Sequence, residues 1–430
     1  MSSPFGRPFI WATGLENTFI GQEGPGARRL DEYELTQHYT HWREDLELAA
    51  GTGFDHIRYG VPWYRVEPAP GQFDWSFTDQ VVPALFDLGL EPIIDLVHYG
   101  CPLWLDEQFA NPDYPERVAA YALAFARRYP RVRCYTPVNE PFVCADLTGY
   151  EGRWPPHLTG DAGFVRIANA VARGLVLTVQ ALRSVRPDAL IVQVEVPITR
   201  LCDDPRLVER VVVDTARQYY APELVLGRVD EDHFLYGYLA AHGTSDAELA
   251  WFRENAVRLD VIGLNYYPDA CVQRWVVGPD GQPTTVPVWG GGDYLERAVT
   301  DYWDRYHLPV LISETTVNER TAPMHAPWQD APPGASPWRE HWLGELLETI
   351  ESLGEGGVPL VGVTWWPFVD AVGWDYRESV APASEHLEPA GLVALRPNGA
   401  GTMVREPLPV TEAVRRAIAA GRPTSGQDRG

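Results

Sequence analysis

The 430-residue sequence predicts an α/β fold, a single (β/α)8 TIM barrel with long loops after strands 6, 7 and 8. Short runs of β-branched and apolar residues alternate with amphipathic helical stretches along the chain, and eight such pairs follow one another. Glycine or proline stands where most of the helical stretches should end, just before the next strand. A barrel with long loops can hold this length in one domain. We therefore expect one domain over residues 1–430, with a core at about 9–421 and flexible tails at 1–8 and 422–430.

The order of elements also indicates where a site should lie. The strand candidates are Phe9–Thr13, His56–Trp63, Pro92–His98, Arg133–Asn139, Leu190–Pro197, Val261–Tyr267, Pro309–Glu314 and Leu360–Trp366. The helical patterns between them are Tyr39–Ala50, Asp79–Leu88, Pro115–Tyr129, Phe164–Val185, Asp246–Arg258, Tyr294–Tyr306, Trp338–Leu353 and Thr411–Ala420. The segments 268–292, 315–337 and 367–409, which follow the last three strands, are long and rich in Gly, Pro and Trp. Long loops at the carboxyl ends of the strands are where a barrel keeps its active site.

Composition narrows the classes of partner. Apolar residues make up 45% and charged residues 22% of the chain, so a large core can be buried. The formal net charge of −24 repels phosphate groups, so neither nucleic acid nor an anionic membrane is expected as a partner. The five cysteines are scattered without metal-type spacing, which predicts neither a disulfide framework nor a metal site. The first residues lack a charged stretch followed by an apolar one, which predicts a cytoplasmic location.

Two glutamates stand at the ends of predicted strands. The fourth strand leads into Asn139-Glu140-Pro141, and the seventh ends at Glu314. A glycosidase needs one carboxylic acid to protonate the leaving oxygen and one carboxylate to attack or to activate water. Strands four and seven face each other across an eight-stranded barrel, so these two side chains can flank one sugar ring. A single glutamate at such a position can also cap a helix or pair with an arginine at the rim.

Three motifs connect these glutamates to a known family. Asn139-Glu140-Pro141, preceded by Tyr-Thr-Pro-Val, resembles the acid/base motif of glycoside hydrolase family 1, whose clan places its two glutamates on strands four and seven. Residues 262–267, Ile-Gly-Leu-Asn-Tyr-Tyr, resemble the family's sixth-strand motif, and Pro309–Glu314 resembles its nucleophile strand. The resemblance extends from Phe9 to about Trp374.

This resemblance implies a retaining β-glycosidase that hydrolyses O-glycosidic bonds by double displacement through a covalent glycosyl-enzyme. Glu140 would be the general acid/base and Glu314 the nucleophile. The partner would be a small carbohydrate or glycoside substrate. The chemistry needs two carboxylates and a positioned water, so no cofactor and no metal are expected.

The resemblance also assigns side chains around the nucleophile. Arg58, inside the second strand, matches an arginine that keeps the nucleophile anionic by its nearby charge. Tyr267 would donate a hydrogen bond to Glu314 and hold it ionised. Asn265 belongs to the same sixth-strand motif and is a candidate substrate-binding residue.

Three further residues are assigned to the sugar. Asn139 would bond the 2-hydroxyl, where contacts strengthen in the oxocarbenium-like transition state. His98 matches a third-strand histidine that contacts a glycone hydroxyl, although a lone histidine is more often structural. Trp366 corresponds to the eighth-strand tryptophan that forms the floor of the sugar subsite, which would turn Trp365 into the packing. The family pattern also predicts a cis peptide between Trp366 and Pro367.

Departures from the family pattern leave the sugar unassigned. The glutamine that usually follows the first strand has no clear equivalent in residues 11–17, and Val372-Gly373-Trp374 replaces the usual glutamate–tryptophan pair after the eighth strand. Glu16, Asn17 and Glu195 follow or end predicted strands, and each could line the pocket or form a rim ion pair. Neither the glycone nor the aglycone follows from these residues.

Three other functions fit parts of the sequence. A barrel that binds carbohydrate without cleaving it would keep the pocket and lose a catalytic group, and the presence of both glutamates argues against it. A metal-dependent hydrolase would need several histidines at strand ends, where only His98 stands. A transglycosidase shares the covalent intermediate and differs only in the acceptor, so it stays open beside hydrolysis.

Overall fold

The computed structural model describes residues 3–24, 26–321 and 337–421. Within these ranges, eight parallel strands close into a barrel. In chain order they are β1 (Ile10–Gly14), β2 (His56–Gly60), β3 (Glu91–Asp95), β4 (Cys134–Thr136), β5 (Leu190–Glu195), β6 (Val261–Asn265), β7 (Val310–Thr315) and β8 (Leu360–Trp365). Each strand pairs with its neighbours in sequence, and β1 closes the barrel by pairing with both β2 and β8. The predicted (β/α)8 barrel is confirmed.

The eight predicted helices are also present, with ends displaced by a few residues. They are α1 (His38–Thr52), α2 (Thr78–Asp87), α3 (Tyr114–Arg128), α4 (Gly160–Val185), α5 (Asp246–Glu254), α6 (Gly291–Tyr306), α7 (Pro337–Glu355) and α8 (Pro409–Ala420). Helix α5 begins with a capping box, in which Ser245 accepts from the amide of Glu248 and Glu248 accepts from the amide of Ser245. It ends at Glu254, earlier than the predicted Arg258.

Helix α4 is long and apolar enough to cross a membrane by length and composition. In the fold it packs along α3, and 72% of its most apolar window is buried inside the protein. Its buried residues include Phe164, Ile167, Val171 and Leu175, which recur at helical spacing on one face. Burial in the barrel's outer layer therefore accounts for the apolar character of this helix.

Six of the eight barrel strands are shorter at their carboxyl ends than predicted, whereas β1 and β7 each end one residue later. Strand β4 stops at Thr136 rather than Asn139, and β2 stops at Gly60 rather than Trp63. Strands β3, β5 and β6 likewise end two or three residues early, at Asp95, Glu195 and Asn265. In β4 the next residue is Pro137, which has no N–H to donate to a neighbouring strand. Several side chains predicted at strand ends, such as His98, Asn139 and Tyr267, are thus carried by the segments that follow the strands.

The segment between β5 and α5 contains structure that the hydrophobic pattern did not predict. A strand at Thr199–Cys202 is followed by short helices at Val208–Arg217, Tyr220–Val225 and Tyr236–Ala241. The strand pairs in parallel with Val272–Val277, which itself forms a hairpin with Pro283–Pro287. A three-stranded sheet from two loops therefore stands beside the barrel.

The long loops predicted after β6 and β8 are confirmed. The loop after β6 holds the hairpin just described, and the loop after β8 holds two antiparallel ribbons, Ala371–Val372 with Leu387–Glu388 and Val393–Pro397 with Met403–Pro407. Much of the loop predicted after β7, residues 322–336, lies outside the described residues, as does the predicted tail 422–430.

A small apolar cluster fills the barrel interior. Its members come from seven of the eight strands, and they are Ile10, Ala12, Ile93, Cys134, Val192, Val194, Val261, Leu311 and Val361. Interior positions of such barrels are filled by side chains in layers. The polar residues considered below lie at the opposite, carboxyl ends of the strands, above this apolar plug.

Candidate active site

One cavity of about 750 Å³ opens at the carboxyl ends of the strands. The predicted residues that line it are His98, Glu140, Tyr267, Glu314 and Trp366. The other three predicted residues, Arg58, Asn139 and Asn265, are fully buried and lie behind these lining side chains. The structure therefore brings all eight predicted site residues into one connected group.

Glu314, in β7, is held by two donors. Arg58 in β2 donates from Nη1 to Oε1, and the Tyr267 hydroxyl donates to Oε2 at 2.6 Å. Burial raises the pKa of Glu314, the Arg58 charge opposes that rise, and the nearby Glu140 carboxyl adds to it. Both hydrogen bonds favour the carboxylate over the carboxylic acid. When the two neighbouring glutamates share one negative charge, the donors place it on Glu314.

Arg58 is fixed from two further sides. Its Nη2 donates to Asp95 Oδ2 at 2.7 Å and to Asn139 Oδ1 at 2.5 Å, and its guanidinium lies 4.9 Å from the centroid of the Trp366 ring. Burial lowers the pKa of Arg58, yet the carboxylates of Asp95 and Glu314 raise it above its usual range. Asp95 was not predicted as a site residue. The sequence feature that could have identified it is an acidic side chain at the end of an apolar strand, next to the strand that carries Arg58.

The donors around Asn139 fix which way its amide faces. Its Oδ1 accepts from Arg58 and, at 3.1 Å, from Asn265 Nδ2. Its Nδ2 must therefore face the two remaining neighbours, His98 Nε2 at 3.1 Å and the Tyr99 hydroxyl at 2.9 Å. Every polar hydrogen of this amide is committed within the group.

This arrangement also sets the tautomer of His98. Because Asn139 donates to Nε2, that nitrogen carries the lone pair and the proton sits on Nδ1. Nδ1 lies 2.9 Å from Asp95 Oδ2, which accepts a hydrogen bond from it. The ring is parallel to the Trp366 ring with centroids 6.0 Å apart. The two contacts hold the His98 ring in one orientation.

Glu140 follows β4 by four residues, at the start of the short helix Pro141–Ala145. Its Oε1 accepts from Asn265 Nδ2 at 2.8 Å, and its Oε2 accepts from the Tyr99 hydroxyl. Ser313 Oγ donates to Asn265 Oδ1 at 2.7 Å and so fixes the orientation of that amide. Burial raises the pKa of Glu140, and the hydrogen bonds from Tyr99 and Asn265 oppose the rise.

Trp366 lies just beyond β8 with its ring on the cavity floor. Its Nε1 donates to Glu16 Oε2 at 3.0 Å, and the ring passes so close to Gly14 that a Cβ there would lie 2.2 Å from it. Trp365 instead belongs to the apolar core, as predicted. The predicted cis peptide between Trp366 and Pro367 is present. The positions of Trp365 in the core and Trp366 at the cavity agree with the register assigned to the end of β8.

For three residues, the sequence left open whether each lines the pocket or forms an ion pair at its rim. Glu16 lines the cavity, within 3.7 Å of His98 Nε2. Asn17 is fully buried against Gly60, and Glu195 is fully buried beside Gln193 Nε2 at 2.7 Å. Burial raises the pKa of Glu195 well above its usual range. Neither alternative holds for Asn17 or Glu195, because both lie inside the protein and away from the cavity lining.

The outer wall of the cavity comes from loops that the motifs did not reach. Glu388 belongs to the ribbon after β8, Trp374 lies two residues beyond that ribbon's first strand, and Arg320 follows β7. Glu388 lies 3.9 Å from Arg320, and its partial burial raises its pKa to about 7. Only the pairing of residues 371–372 with 387–388 brings this carboxyl to the cavity, which is why sequence alone did not find it.

A second part of the wall is apolar and adjoins Glu140. Its side chains come from the turn after β4 and the end of β5, and they are Phe142, Val143, Leu147, Val196 and Ile198. Asp146 and Arg153 border them. Across the described ranges, no group of three or more histidine, cysteine or acidic side chains is placed to hold a metal ion.

Comparison with known proteins defines the class. The profile of glycosyl hydrolase family 1 matches residues 31–278, more than half of the chain. This chain therefore belongs to glycosyl hydrolase family 1. Together with the paired glutamates at the barrel mouth, the match makes it a glycoside hydrolase of the retaining β-glycosidase class.

Individual relatives agree with this class. Thermostable beta-glucosidase B of Thermobispora bispora is 27% identical over 380 residues, covering 79% of this chain and 74% of its own. A 6-phospho-beta-glucosidase of Clostridium longisporum is 24% identical over 380 residues, covering 78% of this chain and 76% of its own. The solved beta-glucosidase of Thermotoga maritima, in complex with a substituted glucoimidazole, has a TM-score of 0.77 at 18% identity over 96% of this chain and 98% of its own.

Proposed function

We propose that this hydrolase cleaves β-glucosides without a phosphate group, with Glu140 as general acid/base and Glu314 as nucleophile. The observation that carries the assignment is the unequal surroundings of two buried carboxyls in one cavity. Glu314 accepts from a guanidinium and a phenol, whereas Glu140 accepts from an amide and a phenol. The environment therefore separates an anion from a proton donor.

In the first step, ionised Glu314 attacks the anomeric carbon and forms a glycosyl ester. The bond to the leaving oxygen breaks, and Glu140 delivers its proton to that oxygen, so the aglycone departs as an alcohol. Arg58 and Tyr267 hold the attacking carboxylate in place. The apolar wall beside Glu140 is where the departing aglycone lies.

In the second step, Glu140 acts as a base. Esterification removes the negative charge of Glu314, which had disfavoured ionisation of the neighbouring carboxyl, so the pKa of Glu140 falls. The ionised Glu140 takes a proton from water, whose oxygen attacks the anomeric carbon and releases Glu314 as a carboxylate. Two inversions give net retention of the β configuration.

In this proposal, Trp366 and His98 contact the sugar, and two buried asparagines lie behind them. Trp366 offers a flat apolar face to the ring, and His98 lies beside it on the cavity lining. Asn139 and Asn265 stand one layer deeper and connect these groups to both glutamates. The family resemblance assigns Asn139 to the 2-hydroxyl, a contact for which Nδ2 would exchange its donation to His98 or Tyr99.

The charge of the cavity wall separates plain from phosphorylated glucosides, a choice that the relatives leave open. Glu16, Glu388, Asp269 and Asp375 are among the lining side chains. The lining guanidinium groups of the described residues, Arg153 and Arg320, lie near carboxylates, at 3.2 Å from Glu378 and 3.9 Å from Glu388. A phosphate dianion would meet net repulsion here, and a neutral glucose would not.

A panel of aryl β-glycosides tests the substrate. We expect the highest kcat/KM for the glucoside, with the 6-phosphoglucoside at least tenfold lower because of the acidic wall. Product stereochemistry, followed by NMR, should show the β-anomer first. Preference for the 6-phosphoglucoside, or an initial α-product, would reject the proposal.

Substitution of Glu140 by Ala tests the division of roles. With an aryl glucoside that has a good leaving group, E140A should form the glycosyl-enzyme and then stall, since no base activates water. Azide needs no base, so it should restore turnover and yield the β-glucosyl azide. Glu209, exposed on the helix Val208–Arg217, provides a matched control, because E209A should behave as the unmodified enzyme with and without azide.

A further inference from the structure

Tyr99 is a buried residue of the cavity that no motif singled out. It stands four residues beyond β3, next to His98, and its hydroxyl donates to Glu140 Oε2. Its ring packs edge-on or tilted against His98, Trp154 and Trp374, with centroids 4.6, 5.3 and 5.6 Å away. The ring is therefore held by aromatic neighbours on several sides, and the hydroxyl has a fixed position.

The backbone at both ends of this contact is unusual. Tyr99 has φ 68° and Glu140 has φ 41°, in the left-handed region that residues with a Cβ rarely adopt. Such conformations persist where the surrounding packing holds them, and they concentrate at functional sites. Here the two residues with positive φ are hydrogen-bonded to each other. Both unusual backbone conformations therefore position the two ends of one contact.

The direction of the hydrogen bond is determined. Asn139 Nδ2 donates to the Tyr99 oxygen at 2.9 Å, which uses that oxygen as an acceptor. The only hydroxyl proton of Tyr99 is then left to point at Glu140 Oε2. Because Arg58 and Asn265 fix the Asn139 amide, the chain of donors from the barrel floor to Glu140 runs one way.

We propose that Tyr99 is the positioning residue of the general acid/base, whose hydroxyl clamps Glu140 Oε2 while Asn265 holds Oε1, so that the carboxyl keeps one orientation in both catalytic steps. The inference rests on the proposed acid/base role of Glu140. Each carboxyl oxygen has two lone pairs and uses one for its fixed donor. The remaining lone pairs are free to carry the catalytic proton.

The clamp also affects ionisation. The side chains that face Glu140 are Glu16, Arg58, Tyr99, Cys144, Glu195, Asn265, Tyr267, Cys271 and Glu314. Removal of the Tyr99 hydroxyl leaves all the others in place and removes one donor that stabilises the carboxylate. The pKa of Glu140 should therefore rise, and the basic limb of kcat/KM, which reports loss of the acid's proton, should move to higher pH.

The test compares pH profiles of kcat/KM for Y99F, for site-specific 3-fluorotyrosine at position 99, and for Y220F. Loss of one hydrogen bond to a charged group should move the basic limb of Y99F up by about one pH unit. Fluorotyrosine keeps the shape and is a stronger donor, so its limb should move down. Tyr220 donates to the carbonyl of Pro141 at 2.8 Å, beside Glu140 but not to its carboxyl. Y220F should leave the limb unchanged.

A titration of the ¹³C-labelled Glu140 carboxyl, assigned by its loss in E140Q, gives the same comparison without turnover. Two results would overturn the inference. Basic limbs that stay fixed in both position-99 variants would mean that Tyr99 does not act on the ionisation of Glu140. A rise in KM alone in Y99F would mean that Tyr99 contacts the sugar instead. If azide rescues E140A while the limbs stay fixed, only the inference about Tyr99 fails. If azide does not rescue E140A, the acid/base assignment fails and the inference falls with it.

Discussion

The floor and the outer wall of the cavity are built in different ways. The floor consists of side chains on barrel strands or the turns just after them, such as Arg58, Asn139 and Glu314, which are buried and joined by hydrogen bonds. The wall comes from loops, and its charged side chains reach solvent, with Glu388 38% and Arg320 47% exposed. A buried, fully bonded group keeps its geometry, whereas a half-exposed one can adapt. The floor suits the reaction and the wall suits the choice of substrate.

Their electrostatics differ in the same sense. On the floor, one guanidinium lies between the carboxylates of Asp95 and Glu314, and removal of Arg58 leaves both buried carboxylates without a cation. On the wall, Glu388 and Arg320 are 3.9 Å apart and partly hydrated, so their mutual attraction is weak. Changes on the floor should therefore act on kcat and stability, and changes on the wall should act on KM.

The largest effect is expected at the nucleophile. Replacement of Glu314 by Ala removes the attacking group, so kcat should fall by about 10⁴-fold or more. Azide should at best give the α-product, since it would enter from the vacated face. Steady-state rates with an aryl glucoside measure the loss. A variant that keeps a tenth of the activity would show that another group attacks.

Arg58 should matter for both rate and stability. Arg58→Met leaves Asp95 and Glu314 buried without a cation, so the free energy of unfolding should fall by about 3–5 kcal/mol. Glu314 would also lose the charge that opposes its raised pKa, and kcat/KM at neutral pH should fall at least about 100-fold. Denaturant unfolding and rate measurements follow the two effects.

Arg396 supplies the matched control for this stability effect. It forms an exposed ion pair with Glu406 at 3.0 Å, far from the cavity in the ribbon Val393–Pro397. Arg396→Met should change stability by no more than about 0.5 kcal/mol and leave the rate unaltered. Equal losses in the two variants would contradict the distinction between the buried floor and the hydrated surface.

A smaller effect is expected when Tyr267 is replaced by Phe. The variant removes the donor to Glu314 Oε2 and keeps the ring, so the carboxylate is less stabilised and the pKa of Glu314 rises. The nucleophile must be ionised, so the acid limb of kcat/KM should move up by about one pH unit while the basic limb stays. If the basic limb moved and the acid limb stayed, Glu314 would be the acid/base and Glu140 the nucleophile.

On the wall, Glu388→Gln should change binding and spare the chemistry. The pKa of Glu388 is raised to about 7, so its carboxylate is present above that pH and lost below it. At pH 8 the variant should show KM raised about three- to tenfold with kcat nearly unchanged, the sign of lost uniform binding. At pH 6 the two KM values should converge. A fall in kcat at both pH values would place Glu388 in the reaction itself.

The smallest effect is expected from chelation. The proposed reaction uses two carboxylates and water, so incubation with EDTA should leave kcat and KM unchanged. If EDTA abolished activity and a divalent ion restored it, the enzyme would need a metal ion and the mechanism given above would be wrong. Measurement on the intact enzyme, before and after desalting, is sufficient.

The floor was largely predictable from the sequence, because its residues follow the barrel strands in fixed order. Glu314 and Asn265 are the clearest cases, each within or at the end of its strand as predicted. Glu140 was identified correctly as a residue, but β4 ends earlier and the side chain is presented by a turn. Asp95 and Tyr99 were missed, since their roles depend on contacts across three strands rather than on a local pattern.

The wall could not be predicted in the same way. Glu388 reaches the cavity only through pairing with Ala371, and neither residue carries a signal of that pairing. The short helices between residues 208 and 241 were missed for a related reason. Tyr220–Val225 and Tyr236–Ala241 have six residues each, which is too short to show a clear period, and isolated helices of this length are stable only through tertiary contacts.

The ribbon that presents Glu388 bears on how this enzyme can evolve. Ala371–Val372 pairs with Leu387–Glu388, and the amide of Gly373 donates to the carbonyl of His386 at 2.8 Å, so the loop 373–386 has clamped ends. Closure entropy grows slowly with loop length, so residues can be gained or lost between these ends at little free-energy change. The Glu388 carboxylate keeps its place as long as these ends stay paired. New aglycones can thus be sampled by changing the residues of this loop that contact neither Tyr99 nor the buried Arg377.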